Sequence, residues 1–149
     1  MTTETRPAFY ALSRGGWRDY VTLLHPPYTL WHLSYVAVGA GLASPFSWTR
    51  CAAAIIAFAL AMGVGAHALD ELHGRPLRTQ IPDRTLWALA VASLAAATAI
   101  GVYACVAWTW WLAPFVVAGA FIVVAYNLEL FGGAFHSTLW FALAWGALP

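Results

Sequence analysis

The fold class this sequence predicts is an all-α, polytopic transmembrane helical bundle of about four to five crossings, and three observations predict it. Hydrophobic residues make up 62% of the 149-residue chain and charged residues only 9%, against roughly a quarter charged in soluble domains. The few charges are separated by uncharged runs long enough to cross a hydrocarbon layer of about 30 Å. Proline and glycine pairs stand where helices in those runs should start or stop. The formal net charge of +1 gives no basic field or charged tail, so no nucleic-acid partner is expected. Cys51 and Cys105 lie in apolar runs without metal-ligand spacing and read as packing residues.

The elements follow in order, within a single membrane domain over residues 1–149. Residues 1–25 read as an interfacial segment. They lack the apolar core and cleavage site of a signal peptide. Trp17, Tyr20, Val21 and Leu24 recur at i, i+3, i+4 and i+7, as in a short helix lying on a membrane surface. Asp19 and Arg50 bracket an uncharged run in which Pro26-Pro27 starts, and Ser44-Pro45 ends, a first span over 27–43. Arg50 and Asp70 bracket the second span, 51–70, rich in alanine and glycine and suited to close helix contacts. Between Arg84 and Glu129 lie 44 uncharged residues. As one helix these would reach about 66 Å, roughly twice the hydrocarbon thickness. The run must fold back at Trp108, Trp110, Trp111 and Pro114, giving spans over 85–107 and 111–128. A break at Phe131-Gly132-Gly133 precedes a partial span, 137–149, too short to cross alone. That shortfall leads us to expect the N-terminal part of a longer protein, with a short re-entrant tail as the other reading.

Arginine accumulates before the first span, at Arg6, Arg14 and Arg18, and after the second, at Arg75, Arg78 and Arg84, with only Arg50 dissenting. Loops rich in arginine stay cytoplasmic. The N-terminus and the loops over 70–84 and 127–136 are therefore expected in the cytoplasm.

Residues 63–82 carry the candidate chemistry. His67, Asp70 and Glu71, spaced i, i+3 and i+4, are expected to share one helix face. Pro76 is expected to turn Arg75 and Arg78 back toward that face. Carboxylates suit Mg²⁺, whose shell substrate phosphates commonly complete, so Asp70 and Glu71 are the candidate metal ligands. Guanidinium forks bind phosphate oxygens. A lipid with a diphosphate head and a hydrocarbon tail would suit both the polar loop and the apolar bundle. The competing reading is that these charges only anchor the span at the interface. Tyr126 and Asn127, near Glu129 and followed by His136, end the fourth span on the same side and are candidates to complete a polar mouth. They read equally well as an interfacial tyrosine with helix-capping neighbours. His25 and His32 are assigned to the interface and to packing.

The order of an acidic helix end, Arg-Pro-Leu, a short polar stretch and a new apolar helix resembles the first aspartate-rich motif of the UbiA-type intramembrane prenyltransferases. Asp70 stands at that motif's last acid, His67 at its first and Ala66 at its asparagine, while Arg75-Pro76-Leu77 matches the Arg-Pro-Leu element. Tyr126 stands where the family often has a tyrosine ending its fourth helix. The opening TLLHPPYTLWHLSYVAVGAGL is similar to the family's first helix. The resemblance covers most of this chain and the first half of such a bundle. It implies a multi-pass protein of the bacterial plasma membrane that transfers a prenyl group from a prenyl diphosphate to an acceptor, with Mg²⁺. In this chain it implies Asp70, Glu71 and His67 as catalytic residues and Arg75, Arg78, Tyr126 and Asn127 as the diphosphate site. The alternative is a non-catalytic helical bundle binding lipid or a partner protein. A di-iron oxidase is disfavoured because the histidines lack HxxxH or HxxHH spacing.

Overall fold

A computed structural model describes residues 6–147. Residues 1–5 of the expected interfacial segment and 148–149 of the expected last span lie outside them. All regular structure among the described residues is helical. The helices are α1 (Trp17–Leu23), α2 (Pro26–Leu42), α3 (Trp48–Leu72), α4 (Asp83–Ala107), α5 (Trp110–Asn127) and α6 (Thr138–Ala147).

Local chemistry sets their ends. Pro26 opens α2, where a missing N–H costs nothing. The Ser47 hydroxyl caps α3 by accepting from the Arg50 N–H at 3.4 Å. Gly74, at φ +94°, follows the end of α3 in a conformation that only glycine adopts freely. Thr109 accepts from the Trp111 N–H at 3.4 Å and, with Pro114 in the next turn, opens α5. Positive φ at Glu129, Phe131, Gly132 and Gly133 breaks the chain where the glycine pair stands.

Three helices, α3, α4 and α5, are long and apolar enough to cross a membrane. Val91, Val102, Val106 and Val117 are exposed on α4 and α5. Such outward apolar side chains suit a hydrocarbon surrounding, in which the backbone must satisfy itself as helix.

Contacts at both ends fix the packing. The Arg50 guanidinium lies 5.7 Å from the Trp108 ring centroid, so the start of α3 meets the end of α4. At the other end His73 approaches Glu129 at 3.6 Å, so α5 returns to the side of the 73–82 loop. The rings of His25 and His67 stack at 4.3 Å, joining the start of α2 to the lower part of α3. Trp145 of α6 packs against His32 of α2 at 4.7 Å. Helices α2 to α6 thereby surround a central space. Glycine permits the closest approaches: a Cβ on Gly65 would sit 2.9 Å from the Leu94 side chain, and one on Gly101 2.8 Å from Val116.

One feature departs from the sequence pattern and another follows it. Ala59–Ala66 within α3 is a π-helix. Every residue there is small or apolar, so periodicity carries no trace of the widened turn, a device often found at functional sites. In α1, Asp19, Thr22 and Leu23 face inward while Trp17 and Tyr20 are exposed. The aromatic pair is thus on the outward face of α1.

Candidate functional site

The interior space is a cavity of about 950 Å³. It reaches from Tyr10, His67 and Asp70 at the loop end to Ser47, Arg50 and Thr109 at the other. Between those ends its walls are mostly alanine, glycine and larger apolar side chains from α2 to α6. Small residues leave the room, and the surrounding helices keep it apolar.

At the loop end Asp70 lines the cavity, and its carboxylate has no hydrogen-bond donor among the described residues. A carboxylate on a cavity wall without a structural partner is a functional candidate. His67 also lines the cavity and donates from Nδ1 to the Gly63 carbonyl at 3.2 Å. Its Nε2 is left as the acceptor. His25 stacks on that ring, and its Nδ1 is hydrogen-bonded with the Tyr10 hydroxyl at 2.8 Å. Burial pushes His25 down to about 4. Burial first, then the nearby Tyr28 and Asp70, push Tyr10 up to about 12. The imidazole is therefore neutral and the phenol protonated at pH 7, and the hydrogen bond runs from the phenol O–H to Nδ1 or from Nδ1–H to the phenol oxygen according to the tautomer. In either tautomer His25 Nε2 is a buried atom with no partner among the described residues.

Glu71 goes elsewhere. It is 0% exposed. Oε2 accepts from the Leu77 N–H at 2.9 Å, and Oε1 from the Thr79 N–H at 2.7 Å and the Thr79 hydroxyl at 2.8 Å. Consecutive residues of an α-helix point about 100° apart. Asp70 can thus open to the cavity while its neighbour holds the loop, and the expected shared face divides between them. Arg75 is also engaged in the loop. Nη1 donates to the carbonyls of Thr79 at 3.3 Å and Ile81 at 2.7 Å, and Nη2 pairs with Asp83. Arg78 is exposed and outside the cavity lining. Pro76 and Leu77, rather than the two guanidinium groups, reach the cavity wall.

Tyr126 and Asn127 both line the cavity. The Asn127 amide donates to the Val123 carbonyl at 2.7 Å. The Tyr126 ring stacks on His136 at 4.4 Å, and His136 Nδ1 donates to the Tyr126 carbonyl at 3.1 Å. Glu129 lies within 3.6 Å of His73 and 3.8 Å of His136, forming a polar rim.

Sequence reasoning missed Asp19 and Tyr10, and gave His25 and His32, which both line the cavity, only to the interface and to packing. Asp19 is buried and accepts from the N–H groups of Gly15 at 2.9 Å and Gln80 at 2.7 Å, tying α1 to the loop. Tyr10, read only as part of an interfacial segment, reaches the cavity. An acid on the face of α1 away from the aromatic stripe was the available signal for Asp19, and Tyr10 offered none.

The ligand set bears on magnesium and diphosphate. Of the two expected metal ligands, only Asp70 faces the cavity. Among the described residues no three His, Cys, Asp or Glu side chains come together as a metal would require. No guanidinium lines the loop end. Asp70 is thus the one expected metal ligand on the cavity wall, and the guanidinium groups expected beside it are placed elsewhere. Comparison of the chain with protein-family models, with curated proteins and with solved structures finds no significant match.

Proposed function

We propose that this chain is the ligand-binding core of a UbiA-like membrane bundle that takes an amphiphile into its interior. The polar head sits at Asp70 and the apolar tail runs along the small-residue walls. In this reading α2 and α6 join the three long helices in the membrane, and the N-terminus and both polar loops face the cytoplasm. The arginine distribution supports that orientation.

The carrying observation is the cavity itself, polar at the Asp70 end and apolar for most of its length. Ligand sites of this kind bury a tail against apolar walls and fix orientation with a few polar groups. Kinship with the UbiA-type enzymes rests on the motif resemblance, on Asp70 opening into the cavity, and on Pro76 and Leu77 of the Arg-Pro-Leu element forming part of its wall. Catalytic prenyl transfer from a prenyl diphosphate is the second reading. It is favoured by Asp70, one carboxylate being the least that magnesium accepts beside substrate phosphates.

The test is direct binding to the full-length protein in lipid nanodiscs, using a neutral prenyl alcohol and the matching prenyl diphosphate with and without Mg²⁺. The proposal expects the alcohol to bind without metal and Asp70→Asn to weaken it several-fold, as loss of a charged hydrogen-bond acceptor should. Binding of the diphosphate alone, and only with Mg²⁺, would replace this reading with the enzymatic one. Failure of both ligands to bind would remove the interior as a ligand site.

A further inference from the structure

His32 is 2% exposed, and both ring nitrogens, Nδ1 and Nε2, are buried without a hydrogen-bond partner. It lines the cavity, with the Phe58 ring at 5.4 Å and the Trp145 ring at 4.7 Å around it. It lies seven residues beyond His25, so about 10 Å deeper along the axis of α2.

A buried imidazole lacking both partners is costly, because each unmade hydrogen bond leaves a desolvation penalty of roughly 1–3 kcal/mol. A plain hydrocarbon tail filling the cavity would leave that cost in place. A charged ligand group at this depth would add a larger one. A neutral oxygen function relieves part of it: a carbonyl or hydroxyl oxygen accepts from the imidazole N–H, or a hydroxyl donates to the other ring nitrogen.

We infer that His32 is a second polar subsite inside the cavity, and that the resident amphiphile carries a neutral carbonyl or hydroxyl group partway along its apolar chain. This rests on the interior-binding reading above and narrows it. Head recognition belongs to Asp70, and recognition within the tail belongs to His32. The Phe58 and Trp145 rings pack beside His32, while the alanines and glycines of the facing walls leave space for the chain.

The experiment compares two probes on the full-length protein in nanodiscs: a long-chain alcohol, and the same alcohol with an isotope-labelled keto group at a series of chain positions. At one position the keto probe should bind roughly tenfold more tightly than the plain alcohol, the worth of one hydrogen bond. Its carbonyl stretch should move to lower frequency than in hydrocarbon solution. His32→Leu should abolish both the preference and the shift, and His32→Gln, which keeps a donor, should restore part of each. Equal binding of plain and keto probes at every position would overturn the inference, with water left as the partner of His32. A preference that survives His32→Leu would overturn it too. In both cases binding of the plain alcohol still upholds the interior site, whereas binding of neither probe removes that reading and this one together.

Discussion

The loop over 73–82 and the cavity beside it treat their polar groups in opposite ways. In the loop, charge is matched by structure. Glu71 takes three hydrogen bonds, Asp19 two, and Arg75 holds two carbonyls and Asp83. On the cavity wall, Asp70 has no donor among the described residues, and one nitrogen of His25 and both of His32 are buried without a partner. Buried polar groups in folded proteins are almost always paired, so a cluster of exceptions beside a cluster of satisfied groups marks where something else must supply the partner. Two adjacent acids, Asp70 and Glu71, fall on either side of that line.

The contrast breaks most severely at Glu71. Glu71→Ala strands two backbone N–H groups and a hydroxyl in a buried site. Unfolding should become easier by about 3 kcal/mol or more, on a penalty of roughly 1–3 kcal/mol for each stranded group. Loss of the loop should also expose residues 73–82 to protease. Reversible unfolding in mixed detergent checks this, and an unchanged midpoint would show that the carboxylate does not hold the loop.

A smaller effect sharpens the cavity side. His25 is held neutral with its folded value pushed down to about 4 from an ordinary value of 6.5. Between those values the unfolded chain binds a proton that the folded chain refuses, so stability falls as pH drops from 6.5 toward 4. Tyr10, Tyr28 and His67 are the titratable neighbours that face it. Stability measured across that range should decline in the native protein and decline less in His25→Gln. Parallel curves would mean that His25 is not buried neutral.

Much of the fold was legible because charge is so costly in hydrocarbon. The gaps between Arg50, Asp70, Arg84 and Glu129 bound the three long apolar helices, and the tryptophan-rich turn ending at Pro114 separates the last two. The site was legible only in part. Sequence spacing put His67, Asp70 and Glu71 on one face, and two of the three meet in the cavity. It carried no information on which acid would be claimed by backbone N–H groups, because those donors lie in a loop whose path depends on positive φ at Gly74, Arg75 and Arg78. For the same reason Arg75 read as a phosphate ligand, although its reach to Thr79, Ile81 and Asp83 needs a chain reversal that composition does not encode. The π-helix of α3 and the unpaired nitrogens of His32 arise from packing between distant helices, beyond the range of local pattern.

The division between the two acids can be read out chemically. A hydrophobic carbodiimide entering from the membrane forms adducts with carboxyl groups it can reach, and peptide mass spectrometry of the labelled protein locates them. The account predicts an adduct on Asp70 that a bound long-chain alcohol suppresses, and none on Glu71 while the protein is folded. Modification of Glu71 with Asp70 unreacted would contradict it.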